Sequence, residues 1–317
     1  MRVDALLHLY PPGHCGGADM MLHAMLRALV ERDHQVHVWL THQGKESEQY
    51  AFEGIVVHPS GSAEPDWPRA DVIVSQVQNV PAAAAIARKY SQPFVNVVHS
   101  TRPLSRSQLS HPAALLVFNS EWVAAELGHR DNSIVVRPPV LAEEYKTRSG
   151  RKVCLVNLNP AKGGHLFWHL AEAMPDVEFL GVRGAYGKQI VGTLPNVELR
   201  EHGTDMRAVY RSSRLVLMPS RYESWGRVGV EAMASGIPVL AHPTPGLRES
   251  LGAAGIYLDR DEPAAWLTAI RELLENPESW RAASRAARAR SAQLDPAEDL
   301  ARWCAAVEAL AGKVTPG

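Results

Sequence analysis

The sequence predicts an α/β protein built as two doubly wound, Rossmann-like halves, each with a parallel sheet. Three observations predict it. Short apolar strand patterns alternate with helical patterns along most of the chain, an order that needs crossover connections and therefore parallel strands. The alternation pauses once, at Arg137-Pro138-Pro139 and the polar stretch Ala142 to Arg151, and then resumes. The length, 317 residues, is about twice that of an ordinary domain.

In the first half, Met1 to Tyr10 reads as an apolar strand centred on Val3 to Leu7, followed by the loop Pro11-Pro12-Gly13-His14-Cys15-Gly16-Gly17. Ala18 to Arg32 places apolar residues at helical spacing, and Gln35 to Thr41 alternates Val36, Val38 and Leu40 with His37 and Trp39. Gly54 to His58, Asp71 to Ser75, Phe94 to His99 and Ala114 to Asn119 read as further strands, with a helix at Pro81 to Tyr90. The expected first domain is 1–145.

The second half is expected at 150–297. Its strands are Val153 to Leu158, Val177 to Val182, Leu215 to Pro219 and Pro238 to Ala241, and its helices Lys162 to Ala173, Met206 to Ser212, Gly226 to Ala234 and Pro263 to Glu275. Trp280 to Ala311 reads as two helices broken near Asp295-Pro296. The terminal piece, 298–317, is expected to pack back on the first domain.

Composition narrows the function. An apolar fraction of 46% and a charged fraction of 21% are those of a globular chain, and a net charge of -1 gives no electrostatic reason to expect a nucleic-acid partner. Arg281, Arg285 and Arg288 lie at helical spacing and read as a solvated basic face, with a face for an anionic membrane or substrate as the alternative. The three cysteines, Cys15, Cys154 and Cys304, are far apart and form no Cys-x-x-Cys, so a reducing compartment is expected and neither a disulfide framework nor a zinc knuckle. With no leader-like start and no apolar run of about 18 residues, the expectation is a cytoplasmic chain without an integral membrane segment. No metal is expected either. His14 with Cys15, and His34 with His37, lack companion ligands, and Asp259-Arg260-Asp261 reads as a helix start before Pro263.

The most informative segment runs from Pro219 to Val239. Glu223 lies in the loop leaving the carboxyl end of a buried strand, and a helix starting near Gly226 exposes unpaired amide groups there, a geometry suited to phosphate. Gly226 and Gly229 remove side chains that would keep a diphosphate away. Glu231, about one to two turns into the helix, could accept hydrogen bonds from ribose hydroxyls, and Gly236 ends the helix. By residues alone, a solvated loop acid followed by an acid that satisfies the helix dipole remains the competing reading.

In this setting the spacing of Glu223 and Glu231 resembles the Glu-x7-Glu signature of family 4 retaining glycosyltransferases, whose fold is the two-domain GT-B architecture with the nucleotide-sugar in an interdomain cleft. The resemblance implies that Glu223 contacts the transferred sugar and Glu231 the ribose, with Ser224, Trp225, Gly226, Arg227 and Val228 lining the donor. Gly16-Gly17-Ala18-Asp19 is similar to the family's Gly-Gly-Ala-Glu, with Asp19 in place of Glu, and implies donor contacts from Gly16 and Gly17. Val156 to Gly164 resembles Gly-Arg-Leu-x-x-x-Lys-Gly: Lys162 matches the catalytic lysine, whereas Asn157 stands where the family has arginine. Arg183 is the candidate to replace that charge, with a structural salt bridge as an equal alternative. His99, ending a strand, falls where the family has a histidine near the donor sugar, with a satisfied core histidine as the other reading.

The catalytic set is thus His99, Glu223 and Lys162. The resemblance further implies a UDP- or GDP-sugar bound as substrate, no separate cofactor and no metal, and a small-molecule or glycan acceptor chosen by the first domain. A carboxylate pair also fits a glycoside hydrolase, but a neutral leaving group does not call for Lys162, glycine loops and a helix start. A nucleotide-sugar 2-epimerase and a non-catalytic sugar-nucleotide binder are the remaining alternatives.

Overall fold

The protein is described from a computed structural model, which covers the chain apart from residues 14, 43–46, 63–64, 186, 204 and 313–317. His14, weighed above as a metal ligand, lies outside the described residues. The chain divides into two compact units, Met1–Pro139 with Pro296–Gly317, and Val140–Asp295. Residues 140–145, assigned to the first domain from sequence, fall in the second.

In the first unit the described residues form an eight-stranded sheet in the order β3-β4-β2-β1-β5-β6-β7-β8. Its strands are β1 (Arg2–Leu7), β2 (Gln35–Leu40), β3 (Tyr50–Phe52), β4 (Ile55–His58), β5 (Val72–Gln76), β6 (Phe94–Val98), β7 (Leu115–Phe118) and β8 (Ser133–Val135). All pairs are parallel except β3 with β4. The helices are α1 (Gly17–Val30), α2 (Val80–Lys89), α3 (Pro103–Gln108) and α4 (Glu121–Leu127). β5, β6 and β7 are buried along their whole lengths, as parallel strands covered on both faces must be.

The terminal helix Ala297–Ala311 belongs to this unit. Trp303, Cys304 and Val307 join the core formed by β1, β2, β5 and α1, and Trp303 Nε1 donates to Met25 O at 2.8 Å. Asp299, buried, accepts from Arg137 Nε at 2.6 Å and from Arg302 Nη1 at 3.0 Å.

The second unit has a six-stranded, all-parallel sheet in the order β11-β10-β9-β12-β13-β14. Helix α5 (Ala142–Tyr145) opens it inside the stretch read as a linker, and is followed by β9 (Lys152–Val156), α6 (Gly164–Ala173), β10 (Phe179–Val182) and β11 (Val197–Arg200). Then come α7 (Met206–Ser212), β12 (Ser213–Met218), α8 (Arg227–Ala234), β13 (Val239–Ala241), α9 (Pro245–Leu251), β14 (Gly255–Tyr257), α10 (Pro263–Glu275) and α11 (Pro277–Gln293). Leu155, Phe167 and Trp266 lie in a core on one side of the sheet; Cys154, Val216 and Met233 lie in a core on the other. Arg281, Arg285 and Arg288 are exposed on α11 while Ser284 and Ala287 are buried, which is the solvated face expected.

Helix α6 begins at Gly164, two residues later than the sequence predicts. Pro160–Lys162 forms a single 3-10 turn, and Gly163 adopts φ +101° before the helix starts. A side chain there would be strained, and its Cβ would lie 2.2 Å from Pro219 Cγ. That close approach seats the turn against the loop that follows β12.

Both sheets reverse their winding direction at a central pair of strands, β1 and β5 in the first unit, β9 and β12 in the second. Loops leaving the carboxyl ends of such a pair diverge and leave a crevice, the usual ligand position in open α/β sheets.

Candidate functional site

In the second unit, the loops after β9 and β12 bring Lys162 and Glu223 together. Lys162 Nζ donates to Glu223 Oε1 at 2.5 Å, and Ser220 Oγ donates to the same oxygen at 2.9 Å. Glu223 is 13% exposed and Lys162 30%, so the pair is partly withdrawn from solvent while the ammonium still reaches it. Main chain fixes the approach: Arg221 N donates to Ala161 O at 2.9 Å. From behind, a Cβ on Gly246 would lie 2.3 Å from Glu223 O, so only glycine lets α9 pack this closely under the loop.

Gly226 sits at φ +89° and no side chain caps the start of α8, leaving its first amides available to an anion. A Cβ on Gly226 would lie 2.4 Å from Leu247 Cδ2. Ser224 belongs to the segment packed under Gly246, and Val228 is partly buried against the neighbouring core. Trp225 differs from its expected donor-lining place: its side chain is buried with Val140, Val230 and Leu294, and its Nε1 has no hydrogen-bond partner among the described residues.

Glu231 also departs from the picture of a carboxylate waiting for ribose. Its Oε1 accepts from Arg227 Nε at 2.6 Å and its Oε2 from Tyr210 Oη at 2.6 Å, while Arg227 Nη2 donates to Tyr145 Oη at 2.7 Å. Burial opposes the charge on Arg227, but Glu231 and Tyr145 more than offset it and raise its pKa; burial and the adjacent Glu231 raise Tyr210 as well. A carboxylate offers about four lone-pair positions, so two internal donors leave acceptor capacity on Glu231 without leaving it free. Residue 227, four before Glu231 on the same helix, explains the departure: an arginine there reaches the carboxylate as an i,i+4 pair.

Asn157 and Arg183 do not share a task. Asn157 takes φ +72°, a conformation asparagine tolerates, and its Oδ1 accepts from Asn159 N and Gln189 Nε2, both at 3.2 Å. Arg183 instead points to Glu201, Nε to Oε1 3.3 Å, at an angle that leaves Nε without a true hydrogen bond. Of the two readings of Arg183, the geometry favours the salt bridge.

Gly16, Gly17 and His99 belong to the first unit and gather at its own strand ends. Neither glycine has positive φ, and a Cβ on Gly17 would meet nothing within 4 Å among the described residues. His99 follows β6, and its Nε2 lies 2.6 Å from Gln76 Oε1, at the end of β5; Gln76 Nε2 in turn donates to Asp19 Oδ1 at 3.1 Å. An amide oxygen only accepts, so His99 carries its proton on Nε2 and keeps Nδ1 as an acceptor. Burial lowers the His99 pKa to about 4 and raises that of Asp19 to about 7. Asn119 Nδ2 donates to His99 O at 2.9 Å, holding the backbone at the end of β6.

Sequence reasoning missed Gln76, Asn119, Tyr145, Tyr210 and Gly246. Gln76 and Asn119 had a legible signal, a polar residue at the carboxyl end of an apolar strand. The others act through contacts made at long range. Among the described residues, no group of three or more His, Cys, Asp or Glu side chains is placed to hold a metal ion, and no helix is long and apolar enough to cross a membrane.

Known proteins share the fold. The structure is similar to that of Anabaena Alr3699/HepE in complex with UDP-glucose, with a TM-score of 0.78 at 19% identity, covering 98% of this chain and 100% of that one. It is also similar to sucrose-phosphate synthase from Thermosynechococcus elongatus, with a TM-score of 0.74 at 14% identity, covering 95% and 97%. The fold is GT-B.

Within this GT-B chain, residues 168–276 match the family described as Glycosyl transferases group 1, a span that includes Glu223 and Glu231. The D-inositol 3-phosphate glycosyltransferase of Corynebacterium kroppenstedtii is 43% identical over 74 residues, 23% of this chain and 16% of that protein. That of Segniliparus rotundus is 33% identical over 148 residues, 41% of this chain and 33% of that protein. The matched segments thus span between about a sixth and a third of these relatives' lengths.

Proposed function

We propose that this GT-B chain transfers a sugar from a nucleoside diphosphate sugar to an acceptor hydroxyl, with retention at the anomeric carbon and without metal or cofactor. The observation that carries the reading is the Lys162–Glu223 pair at the crevice of the second sheet, beside the uncapped start of α8. A departing diphosphate needs cationic and N–H stabilisation in the transition state, and this crevice supplies both. Nζ of Lys162 would leave Glu223 for the phosphate oxygens, freeing the carboxylate to hold the sugar. In the step itself, the bond from the anomeric carbon to phosphate oxygen breaks. The acceptor oxygen bonds on the same face, and its proton passes to the departing phosphate oxygen. No protein nucleophile is needed.

The UDP-glucose in the HepE complex supports a UDP-sugar as the first donor to try. His99, neutral and with Nδ1 as acceptor, is suited to receive a hydrogen bond from a sugar hydroxyl. The acceptor is proposed as a small molecule or glycan.

A non-catalytic binder is the second reading, favoured by Asn157 in place of a second cation and by the engagement of Glu231 with Arg227 and Tyr210. Thermal-shift screening against UDP, GDP, ADP, TDP and their sugars tests the donor reading, because a ligand bound only by the folded state raises stability by mass action. One nucleotide is expected to stabilise the chain, and the shift should vanish in Lys162→Ala. If no nucleotide stabilises it, the reading fails. Release of nucleoside diphosphate from the stabilising donor separates an enzyme from a binder.

A further inference from the structure

A second concave site lies in the same unit. It is a cavity of about 740 Å³ lined by His165, His169, Arg221, Arg260, Asp261 and the apolar side chains between them, and neither Lys162 nor Glu223 lines it. His165 and His169 stand one turn apart on the exposed face of α6, and Arg221 comes from the loop after β12. Among the described residues, no hydrogen bond or ion pair engages the Arg221 guanidinium or either imidazole.

Arg260, by contrast, is anchored. Its Nη1 donates to Ala161 O at 3.2 Å and its Nη2 to Pro160 O at 3.3 Å, and its side chain is only 10% exposed. Burial lowers its pKa, and Arg221 lowers it further as a like charge. The single acid of the lining, Asp261, is 81% exposed and stands 3.8 Å from Arg260 Nε, so it screens one guanidinium from the rim and leaves the Arg221 side open.

We propose that this cavity binds a phosphate monoester, with Arg221 and Arg260 on the phosphate and the two histidines as further donors. Guanidinium forks match phosphate oxygens two at a time, and a charge-assisted bond of this kind is strongest where the cation has no competing partner, as at Arg221. The volume exceeds what a lone phosphate fills and admits a phosphorylated sugar-sized molecule. Occupancy bears on the crevice next door, because the carbonyl of Ala161, the residue before Lys162, accepts from the main-chain N of Arg221 and from Nη1 of Arg260. The site stands apart from the donor reading and holds or fails without it.

Isothermal titration of the full chain in a phosphate-free buffer tests it, with inorganic phosphate and a hexose 6-phosphate as probes. Arg221→Gln and the double variant His165→Gln/His169→Gln alter exposed side chains and are expected to fold as the parent does, checked by circular dichroism. Binding to the parent should weaken at least tenfold in both, yet persist in Lys162→Ala. Tighter binding of the hexose phosphate identifies a monoester ligand; equal binding of the two probes identifies free phosphate at the same site. No binding to the parent at millimolar probe, undiminished binding in both cavity variants, or loss confined to Lys162→Ala would overturn the proposal.

Discussion

Lys162 Nζ and Glu223 Oε1 lie 2.5 Å apart although 61 residues separate them in the chain. Two neighbouring strands, β9 and β12, deliver them, and Gly163 against Pro219 closes the remaining distance. Each charge has the other as its partner. A donor phosphate must compete for the lysine, which couples diphosphate binding to release of the carboxylate.

Removing either member should therefore disable chemistry rather than folding. Lys162→Ala and Glu223→Gln are expected to lower kcat/KM by about 10²- to 10³-fold, the scale of a lost transition-state charge contact. Midpoints of thermal unfolding should move little, since both groups are partly exposed. Near-parental kcat/KM in both variants would remove the pair from the mechanism.

Asp19 sets a pH dependence of stability. Its pKa is about 7 in the folded chain against an ordinary value of 3.8, because burial outweighs the hydrogen bonds it accepts. Between these values the folded state binds the extra proton, so its contribution is fully present below about 3.8 and is lost as pH rises to about 7. His99, lowered from 6.5 to about 4, acts in the opposite direction over most of that range. Asp19→Asn should raise the urea midpoint relative to parent at pH 8 and bring no such gain at pH 4; an equal difference at both values would contradict the assignment.

The Arg227–Glu231 pair is nearly enclosed, at 11% and 6% exposure, and losing one partner strands the other charge. Arg227→Leu is expected to destabilise by about 3–5 kcal/mol, and Tyr210→Phe by about 1–3 kcal/mol. Urea unfolding followed by tryptophan fluorescence measures both. A change in Arg227→Leu below about 1 kcal/mol would mean that Glu231 relaxes to water.

Gly246 and Gly17 should respond to an added methyl group in opposite ways. Gly246→Ala forces a Cβ to within 2.3 Å of Glu223 O and should lower both stability and kcat by displacing that loop. Gly17→Ala meets nothing within 4 Å and stands at the first position of α1, so the fold should tolerate it or gain up to about 1 kcal/mol. Loss of activity in a stable Gly17→Ala would indicate that a substrate occupies the space a methyl group fills.

The terminal helix is a structural part of the first unit. Trp303 is fully buried and hydrogen-bonded to Met25 O, so Trp303→Ala should destabilise that unit by about 3–5 kcal/mol. Selective loss of protection from hydrogen exchange in α1 and β2, relative to β9 and β12, is the expected signature. Uniform loss throughout the chain would show that the two units unfold as one.

The sequence by itself determined the two-sheet α/β class, the principal strands, most helices though not α3, α4 or α9, and the loops that hold Lys162, Glu223, Gly16 and His99. Those properties follow from periodicity, from glycine and proline punctuation, and from residue type at strand ends, all of which are local. Short elements such as β3, β8, β14 and α5 were not legible: three or four residues carry little local signal, and their stability comes from the neighbour they pack against. Tertiary structure alone decided which partner each side chain takes. It gave Glu231 to Tyr210, Arg183 to Glu201 and Trp225 to the core, and it let His99 meet Asp19 through Gln76. These contacts join residues brought together by strand order, and a pattern read along one strand or helix holds no information about the groups that face it.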